Sequence, residues 1–112
     1  MMQLTDVATG IVFALPDVPE ITIGRKDPQE GIYPDVDLTP LDPERAVAAR
    51  HAKIVMRGPR LNLYFLMRQI GVFGNDTFVN NQPVVDLPAE FRNGDLLRFG
   101  PRIALRFSVD NS

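Results

Sequence analysis

From Ile103 to Val109 a large apolar side chain occupies every second position: Ile103, Leu105, Phe107 and Val109. A period of two places all four on one face of an extended chain, the pattern of a strand packed against a core on one side only. Short stretches rich in Val, Ile, Leu and Phe recur along the rest of the sequence. They are separated by turn-forming residues, among ten prolines and eight glycines spread over the whole chain. Many short strands joined by turns are the sequence mark of a sandwich or barrel. The pattern predicts an all-β fold with strands over 3–6, 11–15, 20–24, 36–38, 52–57, 62–67, 77–79, 82–84, 96–99 and 103–109.

Several of the intervening turns have a local cause. Thr9-Gly10 separates two apolar segments and suits a hairpin, Asn80-Asn81 supplies two residues that tolerate positive φ, and Asn93-Gly94 is a third turn signal. One segment runs against the all-β pattern. Asp42-Pro43-Glu44-Arg45 reads as a helix start, with Asp42 as N-cap and Pro43 in the first helical position, and Ala46 to Ala49 continue the propensity. Because the chain after His51 reads as a strand, the expectation is one short helical turn confined to a loop, over 43–47.

At 112 residues the chain has the length of one domain, 1–112. No apolar run approaches the length needed to cross a bilayer, and no secretory signal pattern stands at Met1, so the expected location is the cytoplasm, with no membrane partner. The absence of cysteine removes disulfides, thiol chemistry and cysteine-ligated zinc, His51 as the only histidine argues against most other transition-metal sites, and no cofactor is expected. The net charge of −2 is unevenly spread. Residues 1–41 carry two basic against seven acidic side chains, 42–68 six against two, and 69–112 four against five. A locally cationic middle third suits an anion-binding surface or an ordinary solvated face, while the acidic whole, with pI near 5.2, argues against nucleic acid. No nucleophile elbow, phosphate-binding loop or acid–base constellation is present, so an enzyme is not expected. Asp35 and Asp37 share a strand face and mimic a carboxylate pair, but a solvated strand edge accounts for them.

Four patches carry the functional information: Ile21-Thr22-Ile23-Gly24-Arg25, Arg50-His51-Ala52, Gly74-Asn75-Asp76-Thr77-Phe78-Val79-Asn80-Asn81, and Phe91-Arg92-Asn93-Gly94-Asp95-Leu96-Leu97-Arg98-Phe99-Gly100. Together and in this order they resemble the forkhead-associated (FHA) family. Its members run from a strand ending in Gly-Arg through a Ser-Arg-x-His segment and an Asn-Gly-Thr-x-Val-Asn-Gly segment to a Gly-Asp-x-Ile-x-Phe-Gly ending. The resemblance implies a sandwich of two β-sheets with about eleven strands and binding loops at one end. It also implies a protein partner, typically one carrying phosphothreonine. A phosphate has nearly two negative charges and three acceptor oxygens, which an arginine, a hydroxyl and backbone N–H groups match.

Carried over residue by residue, the resemblance makes Arg25, Arg50, Gly74 and Asn75 the phosphopeptide-binding positions, with Asn75 facing the bound peptide backbone. It makes Gly24, His51 and Asn80 structural supports: Gly24 to allow a tight turn that aims Arg25, His51 to brace the loop, and Asn80 to form a turn. Departures from the family pattern fall at the site itself. Ala48 stands where the family has its phosphate-binding serine, Gly74 where a hydroxyl is usual, and Asp76 brings a negative charge in place of a glycine. Two readings follow: a phosphothreonine reader in which Arg25 and its cationic neighbours compensate, or a phosphate-independent descendant that binds an unmodified partner or itself. The segment 26–47 is long and exposes Ile32 and Tyr33 to a role as a partner surface or as packing on the sandwich, and Phe73 offers a hydrophobic contact beside the loop or a place in the core.

Overall fold

A computed structural model of the chain describes residues 1–58, 63–68 and 77–110. Eleven strands are formed: β1 (Met2–Asp6), β2 (Val12–Leu15), β3 (Glu20–Gly24), β4 (Val36–Asp37), β5 (Ala52–Arg57), β6 (Leu63–Arg68), β7 (Thr77–Val79), β8 (Gln82–Pro83), β9 (Ala89–Phe91), β10 (Leu96–Phe99) and β11 (Ile103–Val109). They build two sheets, one in the order β2-β1-β11-β10-β7-β8 and the other β4-β3-β5-β6-β9. Neighbours are antiparallel except β3 and β4, which run parallel, with Ile23 opposite Val36 and Gly24 opposite Asp37.

Alternation along each strand sends one set of side chains between the sheets. Ile103, Leu105 and Phe107 of β11 are buried, as are Leu97 and Phe99 of β10, Ile21 and Ile23 of β3, and Ile54 and Met56 of β5. Phe91 and Phe107 pack edge to face at 4.9 Å between ring centroids, and Tyr64 closes the cluster at 4.9 Å from Phe107. Turn chemistry fixes the registers. Asn80 and Asn81 adopt φ of 48° and 69° between β7 and β8, the left-handed pair that a two-residue hairpin requires, and Gly10 and Gly94 have φ of 79° and 91°.

Nine of the ten expected strands lie within one residue of the expected bounds throughout the described residues, and the tenth, 62–67, forms over Leu63–Arg68 with Asn62 outside them. Strand β9 had no counterpart in the sequence pattern. The expected helical turn over 43–47 is absent. Short 3-10 turns form instead at Pro28–Glu30 and Thr39–Leu41. After Asp42 the chain makes one reverse turn, closed by Arg45 N–H to the Asp42 carbonyl at 3.1 Å, and Arg45 then takes φ of 55°, which ends any helix. The Asp42 carboxylate accepts the N–H groups of Ala46 and Val47, both at 2.8 Å, and Val47 drops into the core.

Candidate functional site

The loop between β4 and β5 lies against the end of β3, and the residues of the Gly-Arg and Arg-His patches meet there. Gly24 is buried, and a Cβ on it would stand 2.0 Å from the Ala49 carbonyl oxygen and 2.9 Å from that of Ala48. Its φ is not in the left-handed region, so the expected tight turn is corrected: glycine is required because a second backbone lies where a side chain would be. The two segments run antiparallel there, with Arg25 opposite Ala48 and His51 opposite Ile23, so Arg25 and Arg50 leave the contact in opposite directions.

Arg25 is half-buried and tied to the loop twice. Its backbone N–H donates to the Ala48 carbonyl and its Nε to the Val47 carbonyl, each at 3.2 Å. The two terminal guanidinium nitrogens make no hydrogen bond or ion pair among the described residues, which leaves a donor pair on an arginine whose stem is held. Val47 in turn is held by the buried carboxylate of Asp42. His51 lies 1% exposed behind the loop. Its Nδ1 accepts the Ala48 N–H at 3.2 Å, its own N–H donates to the Ile23 carbonyl at 3.1 Å, and its ring meets Phe99 edge to face at 5.9 Å. Ala48 therefore has both backbone groups engaged, one by Arg25 and one by His51, and presents only a methyl group.

Arg50 is exposed, and neither it nor Arg45 makes a side-chain hydrogen bond or ion pair among the described residues. The nearby acids are committed elsewhere. Asp35 accepts the Thr22 N–H and hydroxyl at 3.0 and 3.2 Å. Asp37 accepts the N–H groups of Lys26 and Thr39 at 3.2 and 3.0 Å and the Thr39 hydroxyl. Burial pushes the Asp37 carboxyl upward, but these hydrogen bonds and the Lys26 charge outweigh it and hold the group below its ordinary value of 3.8. Asp35 and Asp37 thus serve different donors and are no catalytic pair. Asn80 is an architectural residue: its N–H donates to the Leu96 carbonyl at 2.8 Å and its Oδ1 accepts the Leu96 N–H at 2.9 Å.

Phe73, Gly74, Asn75 and Asp76 lie outside the described residues. Among the described residues no group of three or more His, Cys, Asp or Glu side chains is gathered as a metal site would need, and no helix is long and apolar enough to cross a membrane. The sequence patterns did not single out Asp42 as a brace of the site. The only trace it left was an aspartate ahead of proline, which reads equally as a helix cap.

The FHA domain model matches residues 21–100, which include Gly24, Arg25, His51 and Asn80. No curated protein matches the chain. Among solved structures, one FHA domain from an analysis of phosphothreonine-dependent FHA domain interactions superposes with a TM-score of 0.71 at 22% identity, covering 99% of this chain and 98% of that one. The N-terminal FHA domain of S. cerevisiae Rad53p, in complex with a phosphothreonine peptide, gives 0.73 at 15% identity, covering 98% and 94%. The yeast Dun1 FHA domain, in complex with a doubly phosphorylated peptide derived from Rad53, gives 0.68 at 20% identity, covering 99% and 77%. With the family model covering most of its length and the same sandwich in its structural neighbours, the chain belongs to the FHA domain family.

Proposed function

We propose that this FHA domain is a protein interaction module that reads phosphothreonine in a partner, with Arg25 as its principal phosphate donor and Arg50 as a second cation. Arg25 carries the reading: its Nε is tied to the Val47 carbonyl at 3.2 Å while its two terminal nitrogens stay uncommitted among the described residues. A guanidinium with a held stem and two free N–H-bearing nitrogens matches two oxygens of a phosphate with little ordering left to do on binding. The neighbouring charge supports it, since Arg45 and Arg50 are unpaired among the described residues while Asp35, Asp37 and Asp42 are each occupied by donors of this chain. Gly74 and Asn75 join the site by their place in the family motif, Asn75 toward the peptide backbone. FHA domains act as interaction modules rather than as enzymes, and two structural neighbours hold phosphorylated peptides. We place this recognition in the cytoplasm, in signal transduction.

A second reading has its own observation. Ala48 presents a methyl group on a loop whose backbone is pinned, and Asp76 adds a negative charge to the motif. In that reading the module binds an unmodified partner or a second copy of itself. A titration of the domain with a degenerate phosphothreonine peptide library, against the same library unphosphorylated, separates the two. Saturable binding of the phosphorylated set alone, lost in Arg25→Ala with the melting temperature little changed, supports the phosphothreonine reader. Binding to neither set, or an Arg25→Ala variant with full affinity, overturns it.

A further inference from the structure

Among the described residues the two sheets end in four strands, β2 and β8 in one and β4 and β9 in the other. A sheet edge offers unpaired N–H and C=O groups to any chain that can reach it, and prolines, charges and short length normally blunt it. Three of these edges are blunted in that way. β8 is two residues long and contains Pro83, β4 is two residues long and carries Asp37, and β9 is three residues long, with Glu90 at its centre and Pro88 and Arg92 on either side. β2 is the longest of the four, and no residue from Val7 to Pro16 is charged. Val12 is 51% exposed, Ile11 just before it 42%, and Ala14 is exposed as well. The register shows which backbone groups are free. Asp6 N–H donates to the Ile11 carbonyl at 2.8 Å, and hydrogen-bonded pairs alternate along an antiparallel ladder, so Leu4 with Phe13 and Met2 with Leu15 are the next such pairs. The N–H and C=O groups of Val12 and Ala14 therefore point away from β1, and they meet no partner among the described residues.

We propose that β2 is an interface between two copies of this chain, paired antiparallel about a two-fold axis at Phe13. Such an axis sets Val12 of one copy opposite Ala14 of the other, and each of the two pairs so formed exchanges both backbone hydrogen bonds, which satisfies every outward group at once. Phe13 then faces the Phe13 of the second copy in the non-hydrogen-bonded position, where Cα atoms stand about 4.5 Å apart and side chains meet most closely. Its ring is only half-buried against the core, which leaves a side open for that contact. On the outer face Val12 lies beside the small Ala14 of the second copy. The composition of the edge identifies the occupant. A strand that pairs with itself meets its own charges, and this one has none, while β1 offers only Gln3 and Thr5 on the same outer face. A partner selected by charge would find nothing here to recognise. Arg25 follows β3 in the other sheet and takes no part, so the dimer holds two copies of the site at Arg25, whatever that site binds.

The test is sedimentation equilibrium of the chain from about 10 μM to about 1 mM. The apparent mass is expected to rise with concentration from 12.5 kDa toward twice that value. Val12→Pro removes an N–H that points away from β1, so the ladder within one copy loses no hydrogen bond, and the variant should stay at the monomer mass. Ala14→Glu and Ala14→Lys each bring like charges together diagonally across the axis on an exposed face, and each should weaken association about threefold to fivefold. Mixed one to one, the two charged variants should associate again, because opposite charges then meet. A parent chain that stays at 12.5 kDa over the whole range overturns the edge pairing, as does a dimer undiminished in Val12→Pro with the circular dichroism of the parent. Should Val12→Pro fail to fold, the Ala14 variants decide, and association that neither charge weakens overturns the pairing. A dimer kept in the β2 variants but lost in Arg25→Ala overturns it too and moves self-association to the loop end.

Discussion

Replacing Gly24 by alanine is the sharpest test of how this site is assembled. The added Cβ would stand 2.0 Å from the Ala49 carbonyl oxygen, 2.7 Å from its carbon and 2.9 Å from the Ala48 oxygen. An ordinary contact lies at roughly 3.5 Å, so the loop must retreat from β3 by about 1.5 Å. Neither side yields easily, because the obstruction is backbone on both and Gly24 is the last residue of a paired strand. Three hydrogen bonds cross this contact: Arg25 N–H to Ala48, Arg25 Nε to Val47, and His51 N–H to Ile23, at 3.2, 3.2 and 3.1 Å. All are already long, and a retreat of that size breaks two or three of them. At about 1 kcal/mol each, with unpaired groups left behind, the cost is about 2–4 kcal/mol. Stiffening of the unfolded chain by alanine offsets less than about 1 kcal/mol of this. For a domain of this size the melting temperature should fall by roughly 10–15 °C. Urea unfolding followed by far-ultraviolet circular dichroism measures the loss directly, since the chain has no tryptophan to report it. A variant within about 0.5 kcal/mol of the parent would refute the claim that this backbone contact needs glycine.

Three further outcomes follow from the same geometry. Asp42→Ala deletes the acceptor of two amides at 2.8 Å, and thermal melts should show a loss of about 2–4 kcal/mol, partly recovered in Asp42→Asn; an unchanged melt would mean the loop is held by other contacts. Thr77 is fully buried and its hydroxyl has no hydrogen-bond partner among the described residues, so Thr77→Val should gain about 1 kcal/mol in urea unfolding, whereas a loss would reveal a partner for the hydroxyl. The Asp37 carboxyl titrates below 3.8 when folded, so its contribution to stability is complete above pH 3.8 and disappears as pH falls through the lower folded value. Unfolding midpoints measured from about pH 5 to about pH 2 should therefore drop less steeply in Asp37→Asn than in the parent, and parallel curves would count against the network around Thr39 and Lys26.

Strands with a local cause were legible in the sequence. β3, β5, β7, β10 and β11 lie at their expected bounds because alternation and adjacent turn residues determine them within a few positions. β9 was not legible. Its three residues contain one buried apolar side chain, Phe91, and they form a strand because β6 offers Leu66, Phe65 and Tyr64 as partners. The helical turn over 43–47 failed for a different reason. Propensity favoured it, but the positive φ of Arg45 lets the Asp42 carboxylate reach the amides four and five residues on, and burial of Val47 rewards that path. The motif residues Gly24, Arg25 and His51 were found by pattern, and the structure brings them to one place. The reason for Gly24 was not visible, because it lies in a contact with a segment 25 residues away.

The pinned backbone of Ala48 also bears on what the missing serine costs. In this loop the shape depends on the Ala48 N–H to His51 and its carbonyl from Arg25, and neither bond involves a side chain at position 48. The loop needs no side-chain bond from position 48, so alanine there leaves the fold as it is, and in the proposed phosphothreonine reading it forgoes one charge-assisted hydrogen bond, about 1.5–3 kcal/mol of affinity. Arg45 and Arg50 supply charge on the same loop but not a fixed short-range donor. Any compensation they give is Coulombic and exposed, and it weakens as salt rises, whereas the doubly tied Arg25 keeps its geometry. In the proposed phosphothreonine reading, alanine at position 48 therefore rests recognition on one held arginine in a positive field rather than on a set of fixed hydrogen bonds.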